Sequence, residues 1–597
     1  MIQIESLGDE YLITFKGENF NDIYDVFQTF QYSFTYNDVK RGYVCSRQAV
    51  KGIIPHLERI EPIKYKTVIP NDINIKFYRG SVKKDYHYTL PPRYAFQDID
   101  IQKVIKLNKV ALFHKQGYGK TYISLTALNH HYEANHFQKL VIITSPESVY
   151  NWKYELIKFS NFCKEDEIYI VSTENRLPFQ SDKKVIVMNY RNFIMLNDDA
   201  YYKKYPAKKG KNIKYTSKPI MSDLQKWANG GLIACVCDES HYFMNIKSKT
   251  YKLLKKYKDC FEIKMIMTGT PAPNTELEVY PQFNFLEDTL IDMPFDMWQE
   301  YLTKEKKKFE RTLDEEKIKE FYKKVSPYVI RRVAEPEYLE KMPDLIYKDY
   351  YADLNAKQEK IYQAVANHGL KEMEKNFGFI PPEEFLGYVG YIVQAIDNPC
   401  LLKKSFIEKY ASLLLEDLLN DWKFSDHSKL KLLDDLIERC VNKEKDKVII
   451  WDFHPDTLDQ LKSRYSSIKS IIYHGNLKGI KNKSAEKFRV VEEFQNSDSK
   501  ILFASMLAIN SSVNIQKCRY NIYFSKAWGL VQNDQSITRT YRSGQKRDTF
   551  AYSLLLGNSI DVTRHYKIKK KVRLDRSLFK DGALSLDTCK SFLRGIE

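Results

Sequence analysis

The chain lacks any run of about 18 apolar residues, so no membrane-crossing helix is expected. Met1-Ile2-Gln3-Ile4-Glu5 does not read as a secretory leader, and the expectation is a soluble intracellular protein, its compartment undefined. Cysteine is sparse: nine residues, odd in number and scattered. The nearest pair, Cys235 and Cys237, falls in an apolar strand and is expected on opposite faces of it. Neither a zinc site nor a disulfide framework is indicated, and reduced buried thiols are expected.

At 597 residues the chain is too long for one core, and three or four domains are expected. Net charge is +17, from 94 Lys and Arg against 77 Asp and Glu. That balance favours a polyanionic partner, although a composition rich in Lys, Asn, Ile, Tyr and Phe also suits an AT-rich genome.

Chemistry concentrates first at Leu112 to Thr121. The apolar run Val110-Ala111-Leu112-Phe113 predicts a buried strand, Gly117 and Gly119 permit a sharp bend, and Thr121-Tyr122-Ile123-Ser124-Leu125 opens a helix. Such a turn cradles phosphates: backbone N–H groups around Gly117, Tyr118, Gly119 and Lys120 face the anion, the Lys120 ammonium sits against β and γ oxygens, and the Thr121 hydroxyl holds magnesium. His114 stands where G-x-x-x-x-G-K-S/T wants its first glycine, so an ordinary glycine turn before a helix competes with this reading. A second element decides. Gly231 to Cys237 is a buried-strand run ending in Asp238-Glu239-Ser240-His241, which puts two carboxylates at the carboxyl edge of a parallel sheet, where open α/β folds bind ligands. Asp238 is then the magnesium ligand and Glu239 the group that polarises water, and nucleotide hydrolysis is the working reading.

Residues 1–75 read as a small separate α+β module, followed by a linker over 76–90 that ends at Pro91-Pro92. Its intermixed Tyr36, Lys40, Arg41 and Tyr43 suit a phosphate-backbone surface or a merely solvated hairpin. Gln97, next to Phe96, has an amide that can pair with the adenine edge. Leu140 to Thr144 and Val185 to Asn189 repeat the buried-strand design, and strand–helix alternation predicts a parallel, doubly wound sheet. Residues Lys447 to Phe453, Ile471 to Gly475 and Ile501 to Ser505 predict a second such lobe.

Further motifs carry a family resemblance. Asp238-Glu239-Ser240-His241, with Asn245 and Ser248-Lys249, and Met267-Thr268-Gly269-Thr270-Pro271, with Asn274 and Glu276-Leu277, closely resemble motifs of the Swi/Snf group of superfamily-two helicase-like ATPases. Val329-Ile330-Arg331-Arg332 with Met342-Pro343, Asn398-Pro399 with Leu402, and Ser428-Lys429-Leu430 continue the likeness. The run Gln535 to Gln545, with Arg539, Arg542 and Gly544, is the most specific. The likeness covers roughly residues 91–575.

It implies an α/β fold of two RecA-like parallel-sheet lobes, residues 91–283 and 426–575, with a helical insertion over 284–425, the N-terminal α+β module and a tail over 576–597. It also implies ATP and Mg2+ as cofactors. Gln97, Gly117, Tyr118, Gly119, Lys120 and Thr121 are then the nucleotide-binding set, Thr121 and Asp238 the metal set, and Lys120, Asp238, Glu239, Arg539 and Arg542 the catalytic set. Arg539 and Arg542, three apart, are expected on one helix face as fingers toward a γ-phosphate. Thr268 and Gln535 couple nucleotide state to the track, and Ser145, Tyr190, Asn274, Ser505 and Trp528 contact DNA phosphates. Two departures stand out: His114-Lys115 replaces the family's acidic pair, and Ile509 to Asn514 lacks the family's three glycines.

The implied function is an ATP-dependent duplex-DNA translocase or helicase. With no bromodomain-like, chromodomain-like or zinc-binding extension visible, forks or branched DNA in replication, recombination or repair are favoured over nucleosomes. A transcription-associated ATPase acting on RNA polymerase, a DNA-binding protein with an inactive ATPase fold, and an RNA-directed helicase are the alternatives. Two lobes in one chain permit a monomer.

Overall fold

The computed structural model describes residues 2–569 apart from 8–9, 18, 31–32, 68–73, 79–87, 173–178, 180, 198–222, 274, 308–309, 334, 336–341, 376–381, 411, 475–482, 509–513, 528–529 and 543. The chain divides into two compact units, Met1–Val333 and Ala334–Glu597.

The first unit begins with strands β1 (Ile2–Ser6) and β2 (Glu10–Phe15), helix α1 (Phe20–Thr29), strands β3 (Phe34–Asn37) and β4 (Gly42–Ser46), helix α2 (Arg47–Glu58) and strand β5 (Ile63–Tyr65). These strands form one sheet in the order β3-β4-β2-β1-β5, antiparallel except for β1 beside β5. Its core is aromatic: Phe27 stacks on Tyr43 with ring centroids 4.1 Å apart. Tyr43 is therefore buried and is not part of a polar surface as expected. Nor is the module detached. Met297 inserts into its core beside Gly52, where any side chain would strike it, and Gln48 Nε2 donates to the Asp288 carbonyl at 2.9 Å. Lys51 pairs with Asp292 at 2.8 Å.

Helix α3 (Ala95–Val104) leads into a second, seven-stranded sheet. Its elements are β6 (Lys109–Leu112), α4 (Lys120–Glu133), β7 (Lys139–Thr144), α5 (Val149–Phe159), β8 (Ile168–Ile170), β9 (Val185–Asn189), α6 (Tyr190–Asn197), β10 (Ile233–Asp238) and β11 (Ile263–Met267). After a hairpin, β12 (Thr303–Lys307) and β13 (Glu310–Leu313), comes β14 (Val329–Ile330). The order β14-β6-β11-β10-β7-β9-β8 is parallel throughout. Helices cover such a sheet on both faces, which is why its strands read as unbroken apolar runs: all six residues of β10 are buried. Residues two apart in a strand share a face, so Cys235 and Cys237 lie together with Sγ atoms 4.0 Å apart, not on opposite faces. They are not bridged, and the eight cysteines among the described residues are free thiols.

In the second unit, β15 (Leu345–Ala352), β16 (Val448–Asp452), β17 (Ser470–Tyr473), β18 (Ile501–Ser505), β19 (Tyr520–Tyr523) and β20 (Thr549–Leu556) form a parallel sheet ordered β15-β20-β19-β16-β18-β17. The expected helical insertion over 284–425 is thereby divided. Its first fifty residues complete the first unit and supply β14, β15 pairs along its whole length with β20, and the long helices begin at Ala356. At the carboxyl ends of β19 and β20 lies a buried charge cluster. Arg564 forks onto Asp397 through two 2.9 Å bonds and reaches Asp561 at 2.6 Å, while Lys429 pairs with Asp561 at 2.7 Å. Among the described residues no helix is long and apolar enough to cross a membrane.

Candidate nucleotide site

The carboxyl ends of β6, β10 and β11 bring the predicted residues of the first unit together. Gly117 and Gly119 adopt φ of +90° and +82°, a left-handed backbone open to glycine, and Gly119 is the N-cap of α4. A Cβ on Gly119 would lie 2.5 Å from Gln97 Nε2, so close approach also demands glycine there. Lys120, the first residue of α4, donates to the His114 carbonyl at 3.0 Å. Gln97 is buried and clasps the loop: its Oε1 accepts from the Arg93 and Tyr94 amides at 3.0 and 3.3 Å, and its Nε2 donates to the Tyr118 carbonyl at 3.3 Å. Both oxygen lone pairs are thus engaged, which leaves one amide hydrogen for an adenine edge. Tyr118 turns its ring into the protein against Phe96 and donates its hydroxyl to Val333, so its side chain does not face a nucleotide.

Asp238 ends β10. Its Oδ2 accepts from Thr144 Oγ1 at 3.0 Å and Trp152 Nε1 at 2.9 Å, and its Oδ1 from the Glu239 amide at 2.9 Å. Those bonds fix the carboxylate's orientation, yet burial and the adjacent Glu239 push its pKa up to about 6. Glu239 sits at φ +52°, a left-handed conformation costly for a side-chain residue. The two buried acids, side by side at the fold's ligand edge, are oxygen donors suited to a hard divalent cation.

A polar chain continues to Thr268. Glu239 lies 3.3 Å from His241 Nδ1, and the same nitrogen is 3.1 Å from Thr268 Oγ1, which accepts from the Thr270 amide at 3.1 Å. Gly269 then packs on the phosphate loop: a Cβ there would meet the Gln116 amide at 3.4 Å and the His114 carbonyl at 3.5 Å. His241 is a member of this chain to which no role was assigned from sequence, and its position in Asp-Glu-Ser-His was the signal.

Residues expected to touch DNA fare differently. Tyr190 is 2% exposed, with its hydroxyl on the Asp238 carbonyl at 2.8 Å, and Ser145 is buried with its hydroxyl 2.7 Å from Ser148. Ser505 is buried as well. Tyr190 thereby braces the end of the acidic strand, and all three side chains are buried in this structure. Asn274 and Trp528 lie outside the described residues, as does 509–513, the stretch without the family's glycines.

In the second unit the two arginines do not share a helix face. The helix Leu530–Ile537 stops short of both, because Ser536, Thr538 and Thr540 bond their hydroxyls back to the carbonyls of Asn533, Gln535 and Ile537 and compete with further helix. Arg539 is wholly buried and Arg542 half-buried, in the turns that follow. Gln535 is half-buried on the helix itself. Gly544 has φ +103°, and Gln545 closes the turn by donating to the carbonyls of Gln516, Cys518 and Thr540.

A glycine loop opening a helix beside an acidic strand end, on one parallel sheet, fits a nucleotide-binding α/β class. The family is more particular. Residues 99–390 match the SNF2-related domain and residues 428–544 the helicase conserved C-terminal domain; the chain belongs to the SNF2 family of helicase-like proteins. It is 23% identical over 454 residues to the uncharacterized ATP-dependent helicase MG018 of Mycoplasma genitalium, covering 75% of this chain and 38% of that protein. To the transcription regulatory protein SNF2 of Saccharomyces cerevisiae it is 22% identical over 489 residues, covering 79% and 26%. The chain thus spans well under half the length of these relatives. Among solved structures, the Sulfolobus solfataricus SWI2/SNF2 ATPase core in complex with dsDNA aligns over 84% of this chain and 94% of that one, at 18% identity and a TM-score of 0.34.

Proposed function

We propose that the chain hydrolyses ATP with Mg2+ and couples hydrolysis to movement along duplex DNA. The observation that carries this reading is the glycine loop with Lys120, whose charge acts on the buried Asp238, together with the Glu239–His241–Thr268 chain of polar contacts beside it. In it, Lys120 and the N-terminus of α4 bind phosphate, with Gly117, Gly119 and Thr121 shaping that end. Asp238 and Thr121 hold the cation, which when bound supplies charge neutralisation at the phosphates. Glu239 orients and polarises the attacking water, and the His241–Thr268 contact reports its state to the rest of the first unit. Arg539 and Arg542 serve as fingers from the second unit, and Gln535 couples them to the track. The net charge of +17 supports a DNA backbone as that track.

The finer reading is a motor that acts on forks or branched DNA, with the N-terminal module as its grip. Residues 1–66 hold nine Asp and Glu against eight Lys and Arg. Any grip there rests on the exposed aromatics Phe20, Tyr24 and Tyr36 more than on charge. The same near-neutral aromatic surface also favours a second reading, a motor recruited by a protein such as RNA polymerase. ATP hydrolysis measured without nucleic acid and with single-stranded DNA, duplex DNA, a four-way junction and duplex RNA, with Lys120→Ala as blank, tests both. Strongest stimulation by the junction supports the branched-DNA reading. No stimulation by any nucleic acid overturns the DNA-motor reading.

A further inference from the structure

His114, the residue in place of the loop's usual first glycine, is a wholly buried polar group beside the site, with no exposed surface. Its carbonyl takes the Lys120 ammonium at 3.0 Å. Its imidazole Nε2 lies 2.9 Å from Asp100 Oδ2, and Asp100, a buried residue of α3, is forked by Arg332 through bonds of 2.9 Å from Nε and 2.8 Å from Nη2. Burial pushes the Asp100 pKa up, but the hydrogen bonds from His114 and Arg332 more than offset it and the carboxyl stays below its usual range. Burial also lowers the His114 pKa, so the ring is neutral, donates Nε2–H to Asp100, and leaves Nδ1 without a hydrogen-bond partner among the described residues. A buried, half-satisfied imidazole costs stability, and a glycine would not incur that cost.

The backbone repeats the link. The Phe113 amide donates to the Ile330 carbonyl at 2.8 Å, the Lys115 amide to the Arg332 carbonyl at 2.8 Å, and the Tyr118 hydroxyl to the Val333 carbonyl at 3.2 Å. The pairing of β14 with β6 therefore runs on past the strand into the phosphate loop, along the last residues before the chain enters the second unit. We propose that Asp100, His114 and Arg332 are positioning residues for Lys120: they set the loop's shape from beneath and tie it to the segment by which the chain leaves the first unit. Movement of that segment then reaches the ammonium through one imidazole and two backbone bonds.

The inference rests on the ATPase reading above. Its test is the full-length chain carrying Asp100→Asn, His114→Gln or Arg332→Lys, assayed for kcat and KM of DNA-stimulated ATP hydrolysis, affinity for a fluorescent ATP analogue, and Tm. Each variant is expected to lose roughly ten- to hundredfold in kcat/KM, chiefly in kcat, since small misplacements of a catalytic group have effects of that order. The Asp100→Asn, His114→Gln double variant is expected to lose no more than the worse single one, as for residues acting as a unit. Unchanged kcat/KM in variants that merely melt earlier, or fully additive losses, would overturn the proposal. If Asp100→Asn does not fold, Arg332→Lys, which keeps the charge and loses the fork, decides by itself. An inactive wild type brings down the ATPase reading and this inference together, whereas an active wild type with unaffected variants removes this inference alone.

Discussion

The phosphate-loop edge of the first unit and the arginine segment of the second were both read from short motifs, and the structure treats them differently. At the first, sheet geometry alone does the assembling: β6, β10 and β11 are neighbours, so Lys120, Asp238, Glu239 and Thr268 arrive at one edge with their hydrogen bonds made. At the second, Arg539 and Arg542 lie beyond a helix end, in turns held by hydroxyl-to-carbonyl bonds and by Gln545, one buried and one half-exposed. A motif on a parallel strand inherits its placement from the sheet, whereas one on a turn depends on each local bond.

The largest effect expected from that contrast is at the first unit. Glu239→Gln keeps the shape of the site and removes the water-polarising carboxylate, so kcat should fall roughly 10²- to 10⁴-fold with nucleotide affinity retained; a rapid-quench assay beside equilibrium ATP binding separates the two. In the second unit, Arg539→Ala should lower both kcat and Tm because that guanidinium is buried, while Arg542→Ala should lower kcat with little change in Tm. Equal Tm losses would erase the difference drawn between them.

A pH profile sharpens the comparison further. Burial and Glu239 raise the Asp238 pKa to about 6, so its carboxylate is protonated below that value and unable to serve a cation. ATP hydrolysis at limiting Mg2+ should decline as pH falls through about 6. In the second sheet, burial and Asp397 push the Asp452 pKa up to about 8. Because the folded state holds this proton more tightly than the unfolded chain, Asp452 contributes no penalty below the ordinary carboxyl pKa and a growing one as pH rises toward 8. Asp452→Asn should therefore raise Tm more at pH 8 than at pH 5. The smallest effect is at Gly544, where Ala must adopt φ +103° and meet Gln516 Nε2 at 2.7 Å; a loss of about 1–2 kcal/mol by denaturant unfolding is expected.

Contiguous apolar runs such as Ile233–Asp238 and the glycines at 117 and 119 are local signals, and from them the parallel sheets, the phosphate loop and the acidic strand were legible. Other features were not, because their partners are distant. Asp100 and Arg332 are 232 residues apart, and Asp397 and Arg564 are 167 apart, so no spacing announces either pair. Tyr190 and Ser145 carry suitable chemistry for a phosphate contact, yet burial spends it on Asp238 and Ser148. For the arginines, a three-residue spacing suggested a shared helix face, and the hydroxyls of Ser536, Thr538 and Thr540 ended the helix first.

Steady-state ATP hydrolysis by the full chain on duplex DNA, with wild type and Glu239→Gln side by side at matched nucleotide occupancy, tests the central claim most directly. An active wild type stimulated by the duplex, with Glu239→Gln binding ATP and failing to turn it over, is the predicted result. Equal rates in the two proteins would contradict it.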